Sequence, residues 1–246
     1  MIRVSTTLLE NFRKYLYEVK GYAFGSEYLM VDEDKLLSYI MKTAPTSPAM
    51  GRGSAFHDML QFHNTKKYPK MEFNNEAVYY NEEHNIYYNA LTIDTIADGI
   101  DYNFPFEVKK TKIYELKYGE RIKVVSQVDQ WQGNTVFEIK TNWTDCSLDA
   151  DHNFEYYSKF DYDSYAKSCQ WKFYIDVFNA DKVTYKVFEF GLMKDKSSDV
   201  PIFLDNHTFD CYPYVGMIDD NYYLLSEFYN FIDTRNLHDY FKDKLD

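Results

Sequence analysis

The stretch RIKVVSQVDQWQGNTVFEIKTN, residues 121–142, decides the fold because it predicts two β-strands joined by a tight turn. A two-residue loop with glycine in the first position suits a primed hairpin turn, so we expect the loop at Gly133-Asn134. The register that this loop sets places Asp129 opposite Glu138. Two carboxylates in facing positions have Cβ atoms only about 5 Å apart and repel one another. A sequence tolerates such a pair if the pair is solvated, if one carboxylate is protonated, or if a cation binds between them.

The same register places Gln127 opposite Lys140. By strand alternation, these two residues share one face with Asp129 and Glu138. The other face is expected to be apolar and to carry Val128, Phe137 and Ile139. Hard oxygen ligands of this kind suit Mg²⁺ or Mn²⁺. Taken alone, the hairpin also fits a surface cluster held together by salt bridges, without a metal.

The composition is that of an ordinary globular protein, with 246 residues of which 45% are hydrophobic and 27% are charged. No internal repeat or linker is visible, so we predict a single domain over residues 1–246. No run approaches the roughly 18 apolar residues that span a bilayer, and the N-terminus lacks the apolar run of a signal peptide. We therefore expect no membrane partner.

The net charge of −12 argues against tight nonspecific binding to nucleic acid, because phosphates attract lysine and arginine. The charge is unevenly distributed, however, and one strip is basic. This strip contains Lys109, Lys110, Lys112, Lys117, Arg121 and Lys123. It could follow a phosphate backbone, or it could be a solvated strand face.

The cysteines exclude several classes of protein. There are three of them, Cys146, Cys169 and Cys211, and no CxxC pair occurs. A zinc site, an iron–sulfur cluster and a disulfide framework are therefore not expected. A reducing, cytoplasmic setting follows, and the Asn-, Lys-, Tyr- and Asp-rich composition fits a bacterial cell or a phage-infected host.

The order of predicted elements is helices, a group of strands, a helix, a strand and a helix. This order predicts an α/β domain with a central mixed β-sheet flanked by helices. The expected helices begin near Thr7 and cover about 32–42, 53–62, 162–178 and 219–245. The expected strands lie within about 77–118, in the hairpin, and at about 182–190.

Several further motifs accompany the hairpin. Asp129 and Glu138-Ile139-Lys140-Thr141 have the form of an aspartate followed by a (D/E)-x-K strand. The others are the segments STTLL at 5–9, MGRGSAFH at 50–57 and QWKFY at 170–174. In this order, over about residues 5–178, the set resembles the PD-(D/E)XK nuclease superfamily in its RecB-like exonuclease branch. Two features depart from the family pattern, namely the short spacing from Asp129 to Glu138 and a tryptophan at position 171.

The resemblance implies a restriction-endonuclease-like core over about residues 5–190, with 191–246 as a C-terminal extension. It implies that one or two Mg²⁺ or Mn²⁺ ions are held by His57, Asp129, Glu138 and the backbone carbonyl of Ile139. Lys140 would orient or activate the attacking water. The expected site is completed by Gln170 and Tyr174, which would order it. From the residues alone, a histidine such as His57 is more often a surface or core residue than a ligand, and the alternative for Gln170 and Tyr174 is a buried polar pair in helix packing.

The activity implied by the resemblance is hydrolysis of DNA from its ends, including single-stranded ends, in recombination, repair or replication. The relatives of the phage recombination and mitochondrial genome-maintenance type carry no iron–sulfur cluster, and we expect none here. Two alternatives stay open: an endonuclease with the same core, and a DNA-binding or assembly module without catalysis. A homo-oligomer, or a recombination or replication protein as partner, is compatible with either activity.

Overall fold

The computed structural model describes residues 1–19, 31–149, 154–194 and 198–241. It confirms an α/β fold built on a mixed central sheet. The strands of the central sheet are β1 (Ile2–Ser5), β5 (Phe106–Glu115), β6 (Arg121–Gln132), β7 (Thr135–Leu148), β8 (Phe154–Tyr156), β9 (Lys182–Met193) and β10 (Ile202–Cys211). A second, three-stranded sheet contains β2 (Lys70–Phe73), β3 (Glu76–Asn81) and β4 (Ile86–Asn89).

The helices found in the described ranges are α1 (Thr6–Val19), α2 (Glu33–Ile40), α3 (Pro48–Gln61), α4 (Ala90–Ala97), α5 (Tyr162–Ala166), α6 (Gln170–Phe178) and α7 (Met217–Thr234). The single helix expected over 162–178 is interrupted between α5 and α6. The expected C-terminal helix forms as α7 but ends earlier, and a short 3₁₀ turn follows at His238–Tyr240. Residues 242–245 of that expectation lie outside the described residues.

The central sheet has the strand order β1-β6-β7-β9-β10, with β5 on the free edge of β6 and β8 added to β7. Two of its pairings are parallel, β1 with β6 and β7 with β9. The hairpins β5–β6, β6–β7 and β9–β10 are antiparallel. The segment between β7 and β9 carries α5 and α6, so a helical crossover joins the parallel pair.

Helices cover both faces of the central sheet. Against one face pack apolar residues of α1, α6 and α7, including Phe12, Phe173 and Phe228. Against the other face pack α3, α4 and the small sheet, through residues such as Phe56 and Tyr88. The face that β7 turns towards α3 carries Ile139 and Trp143, and the face towards α6 carries Val136. Each of the two helices α3 and α6 therefore touches a different face of β7.

One edge of β6 is shared by two strands. β1 pairs with it from Ile122 to Val125, and β7 pairs with it from Gln130 to Gln132. Between these two partners, at residues 126–129, this edge of β6 has no paired strand. We call this gap the fork. β1 ends at the fork with Ser5, and α1 begins there with Thr6.

Candidate functional site

Asp129 lies at the fork, where the sheet is irregular on both sides. The predicted hairpin register is confirmed where β6 and β7 pair, from Gln132 with Thr135 to Gln130 with Phe137. The ladder stops there, so Asp129 does not face Glu138 as a regular cross-strand pair. Its Oδ2 instead accepts a hydrogen bond from the backbone N–H of Ile139 at 2.5 Å.

The expected sharing of faces is wrong at the same point. Val128 and the partly buried Trp131 pack in the cluster next to α6, whereas Ile139 packs in the cluster next to α3. Two residues three apart on one strand can share a side only if alternation is broken between them. On the neighbouring strand, Glu107 has a φ of 54°, and the β5–β6 ladder skips its pairing with Asp129. The left-handed backbone conformation of Glu107 therefore lies opposite Asp129, at the point where β6 departs from regular side-chain alternation.

Asp129 contacts α3 through His57. The Nδ1 atom of His57 is 3.1 Å from Oδ1 of Asp129. Burial alone would raise the pKa of Asp129, but His57, Lys140 and the Ile139 N–H outweigh it and hold that pKa below its usual value. Burial would lower the pKa of His57, whereas the Asp129 carboxylate raises it above its usual value. The two side chains thus stabilise each other as an ion pair.

Glu138 contacts α6 and the catalytic lysine candidate. Its Oε1 is 2.6 Å from Nζ of Lys140 and accepts a hydrogen bond from the Tyr174 hydroxyl at 3.3 Å. Its Oε2 is buried and has no hydrogen-bond partner among the described residues. Burial, together with the nearby Asp129 charge, raises the pKa of Glu138 above its usual value despite the pull of Lys140. A buried carboxylate oxygen without a donor is costly unless a ligand completes it.

Asp129, Glu138, Lys140, Gln170 and Tyr174 line one pocket of about 390 Å³ at the fork. They do so without sharing a regular sheet face, because the fork opens the sheet between β1 and β7. The pocket is completed by Ser5, Thr6, Thr7, Lys109, Val125, Gln127 and Val128. His57 is not part of this lining and reaches the pocket only through Asp129.

The basic strip does not act as one surface. Lys109 lines the pocket, opposite Gln127 in the β5–β6 ladder. Its neighbour Lys110 instead places its ammonium 3.4 Å from the ring centre of Trp131. Lys112 pairs with Asp176 at 2.6 Å, and Arg121 lies 3.6 Å from Glu115. The strip therefore contributes one cation, Lys109, to the pocket, and much of the rest is engaged elsewhere.

A second group of side chains could hold a metal ion. Glu189, Asp205 and His207 offer ligand atoms that all lie within 4.8 Å of one another. Among the described residues, His57, Asp129 and Glu138 do not meet that criterion together. No motif pointed to the Glu189 group. The only trace in the sequence was the i, i+2 spacing of Asp205 and His207, which puts both on one face of a strand.

The three cysteines are all buried and unbridged. Cys146 lies beside Met193, with sulfur atoms 3.7 Å apart, and Cys169 lies at the start of α6. Among the described helices, none has the length and apolar character needed to cross a bilayer.

No family model matches the chain, and no curated protein matches it either. Among solved structures, the chain is similar to one described as "Crystal structure of SSO0001", with 14% sequence identity and a TM-score of 0.43. The alignment covers 92% of this chain and 75% of that chain. A TM-score below 0.5 supports no argument about function, so the functional case rests on the site itself.

Proposed function

We propose that this protein is a divalent-metal-dependent DNA nuclease of the PD-(D/E)XK type that degrades DNA from its ends. The observation that carries the proposal is the environment of Glu138, which is only 4% exposed and has an unpartnered Oε2. Asp129 and Lys140 line the same pocket. A buried carboxylate of this kind, beside a second carboxylate and a lysine, is suited to hold a cation against a phosphate.

The residues present fit a Mg²⁺ or Mn²⁺ ion. Glu138 has a free oxygen, and burial, together with the Asp129 charge, raises its pKa above the usual value; a divalent cation at that oxygen would stabilise the charged carboxylate. Asp129 and Glu138, which line the pocket, would hold the ion, with His57, which contacts Asp129 from outside the lining, and the Ile139 carbonyl as further ligands. When bound, such an ion polarises a phosphodiester and lowers the pKa of water.

Lys140 would act as a hydrogen-bond donor rather than a base. Burial would lower its pKa, but the Glu138 and Asp129 carboxylates raise it above the usual value, so the ammonium stays charged. Its Nζ is held by Glu138 at the wall of the pocket. A fixed positive charge there stabilises the negative charge that develops on a phosphate oxygen and orients the attacking water.

Gln170 and Tyr174 would order the site. Tyr174 keeps its proton, because burial and the Glu138 charge raise its pKa well above the usual value. Its hydroxyl therefore donates to Glu138 and helps to fix the carboxylate that holds Lys140. Gln170, one helical turn earlier, lines the same pocket and offers both an amide donor and an acceptor.

End dependence is the finer part of the proposal. A protein of net charge −12 with one strip lysine at its pocket attracts the flanks of a long duplex weakly. At a frayed end, unpaired bases can instead stack on exposed aromatic side chains, each stack contributing about 1–3 kcal/mol without needing net positive charge. Such an enzyme would serve DNA recombination, repair or replication.

The test uses one plasmid in two forms, a relaxed closed circle and the same DNA linearised, each incubated with Mg²⁺ or Mn²⁺. We expect the linear form to be lost and the circle to survive. Efficient cutting of the circle would favour the endonuclease alternative. The absence of metal-dependent cleavage of either form, while the protein still binds DNA, would favour the non-catalytic module.

A further inference from the structure

The N-cap residue of helix α6 does not cap the first turn of that helix. This residue, Cys169, makes no side-chain hydrogen bond to the first turn. The first N–H groups of a helix need acceptors, and a cysteine is a poor one. The acceptor comes from another helix instead, since Oε2 of Glu10 in α1 accepts from the Cys169 N–H at 2.8 Å. It also accepts from the Ser168 hydroxyl at 3.0 Å.

Glu10 is built to stay charged in this buried position. It is only 7% exposed, and Arg13 holds it through contacts of 2.6 Å to Oε1 and 3.0 Å to Oε2. Burial would raise the pKa of Glu10, but Arg13, Lys14 and the Cys169 N–H hold it below the usual value. A carboxylate at the N-terminus of a helix also interacts favourably with the helix dipole.

The two helices that Glu10 connects, α1 and α6, both contribute residues to the lining of the pocket at the fork. Thr6, four residues before Glu10, lines that pocket, as do Gln170 and Tyr174 of α6. The Ser168 hydroxyl that binds Glu10 also accepts from the Gln170 N–H at 3.1 Å. Any shift of α6 along or around its axis would move Gln170 away from the pocket and Tyr174 away from Glu138.

We propose that Glu10 is a positioning residue for the catalytic centre: by capping α6 from α1, it sets where Gln170 and Tyr174 meet Glu138. The effect is indirect, because Glu10 does not line the pocket. This inference rests on the proposed nuclease function. A misplacement of α6 lowers the rate of the bound complex more than it weakens substrate binding, since the displaced groups order the reacting residues.

The test compares Glu10→Ala with Glu33→Ala. Glu33 is a control because, like Glu10, it binds an arginine through both carboxylate oxygens and connects two helical elements; Arg235, at the end of α7, contacts it at 2.5 and 2.8 Å, away from the pocket. The readout is cleavage of an end-labelled linear duplex with Mn²⁺, well below the melting temperature of each variant. We expect Glu10→Ala to lower kcat about tenfold or more with KM within about twofold, and Glu33→Ala to leave both constants unchanged.

Ser168→Ala is the second variant, in case Glu10→Ala does not fold. It removes one of the two hydrogen bonds that Glu10 accepts from the start of α6, together with the acceptor of the Gln170 N–H, and is expected to lower kcat about threefold with KM unchanged. Unchanged kcat in the folded variants, or an equal loss of kcat in Glu33→Ala, would overturn the positioning role.

Hydrogen exchange separates this inference from the proposed function. The amides at the start of α6 should exchange about tenfold faster in Glu10→Ala or Ser168→Ala than in Glu33→Ala. If the wild-type protein cleaves no DNA, the proposed function fails, and exchange still decides whether Glu10 fixes α6. Unchanged exchange at Cys169 and Gln170 would overturn the inference even in an active nuclease.

Discussion

Two buried glutamates on neighbouring strands differ in what surrounds them. Glu138 on β7 and Glu189 on β9 are 4% and 1% exposed. Oε1 of Glu189 accepts from the backbone N–H groups of Lys159 and Phe160 at 2.9 and 3.0 Å, and its Oε2 accepts from the Ser158 hydroxyl at 2.7 Å. Both oxygens of Glu189 therefore accept hydrogen bonds from the segment 158–160, and Glu189 holds that segment in place.

Glu138 has fewer partners and a different setting. Its contacts are two side chains, Lys140 and Tyr174, both of which line the pocket. Its second oxygen has no donor among the described residues. A carboxylate saturated by the backbone stabilises the fold, whereas one with a free oxygen in a pocket is available to a ligand. Under the proposed function, Glu138 takes part in the chemistry and Glu189 stabilises the fold, although the Glu189 group also has its ligand atoms close together.

The largest expected effect is on cleavage. We predict that Glu138→Gln lowers DNA cleavage with Mn²⁺ about 100-fold or more, because it removes the negative charge that would bind the ion and that pairs with Lys140. Glu189→Gln keeps an oxygen for the two backbone donors and should retain activity within about threefold. Single-turnover rates on end-labelled DNA measure both, with circular dichroism as the check on folding. Near-normal turnover in Glu138→Gln would remove Glu138 from the centre.

For stability we expect the opposite order, with a larger loss from substitution of Glu189 than from substitution of Glu138. Glu189→Ala removes three hydrogen bonds, from the Lys159 and Phe160 N–H groups and the Ser158 hydroxyl, which at about 1 kcal/mol each should cost about 3 kcal/mol of unfolding free energy. Glu138→Ala removes the hydrogen-bond acceptor of Lys140 and Tyr174. The Lys140 side chain is 31% exposed and can turn to water. We expect a loss of about 1 kcal/mol there. Urea unfolding of both variants decides. Equal losses would show that the two glutamates do not differ as described.

The smallest effect concerns a third carboxylate, Asp94, which is saturated like Glu189. Burial would raise its pKa, but hydrogen bonds from His63, Lys70 and Tyr79 lower it to about 2. Because this value lies below the usual unfolded value of about 3.9, the contribution to stability is present above about pH 4 and is lost as the pH falls through about 2. Asp94→Asn should lower stability at neutral pH and flatten its decline below pH 4.

Urea midpoints for the wild type and Asp94→Asn, measured between pH 6 and pH 2, test this sign. A difference between the two proteins that widens as the pH falls would contradict it.

The sequence predicted the hairpin because its determinants are local. Gly133 takes a φ of 57° in the turn, as a primed hairpin requires, and the register follows from that loop. The ordered motifs likewise led to five residues that the structure brings to one pocket: Asp129, Glu138, Lys140, Gln170 and Tyr174. Local turn chemistry was enough for the hairpin, whereas the set of five residues came from the resemblance to the nuclease family.

The irregular features could not be predicted because they depend on distant contacts. The fork exists because β1 pairs in parallel with β6, more than a hundred residues later, and among the described residues no strand pairs with that edge of β6 at 126–129. The break before α6 is stabilised by Glu10, whose carboxylate lies 159 positions from Cys169 in sequence. Propensity and periodicity carry no information about such partners.

The most direct test is where Mn²⁺ binds. We would titrate Mn²⁺ calorimetrically into the wild type, His57→Ala and His207→Ala, which remove one histidine from each candidate group. We predict that His57→Ala weakens Mn²⁺ binding about tenfold or more, whereas His207→Ala leaves the affinity unchanged. Loss of Mn²⁺ binding in His207→Ala, with unchanged affinity in His57→Ala, would contradict a metal centre at the fork and move it to Glu189, Asp205 and His207.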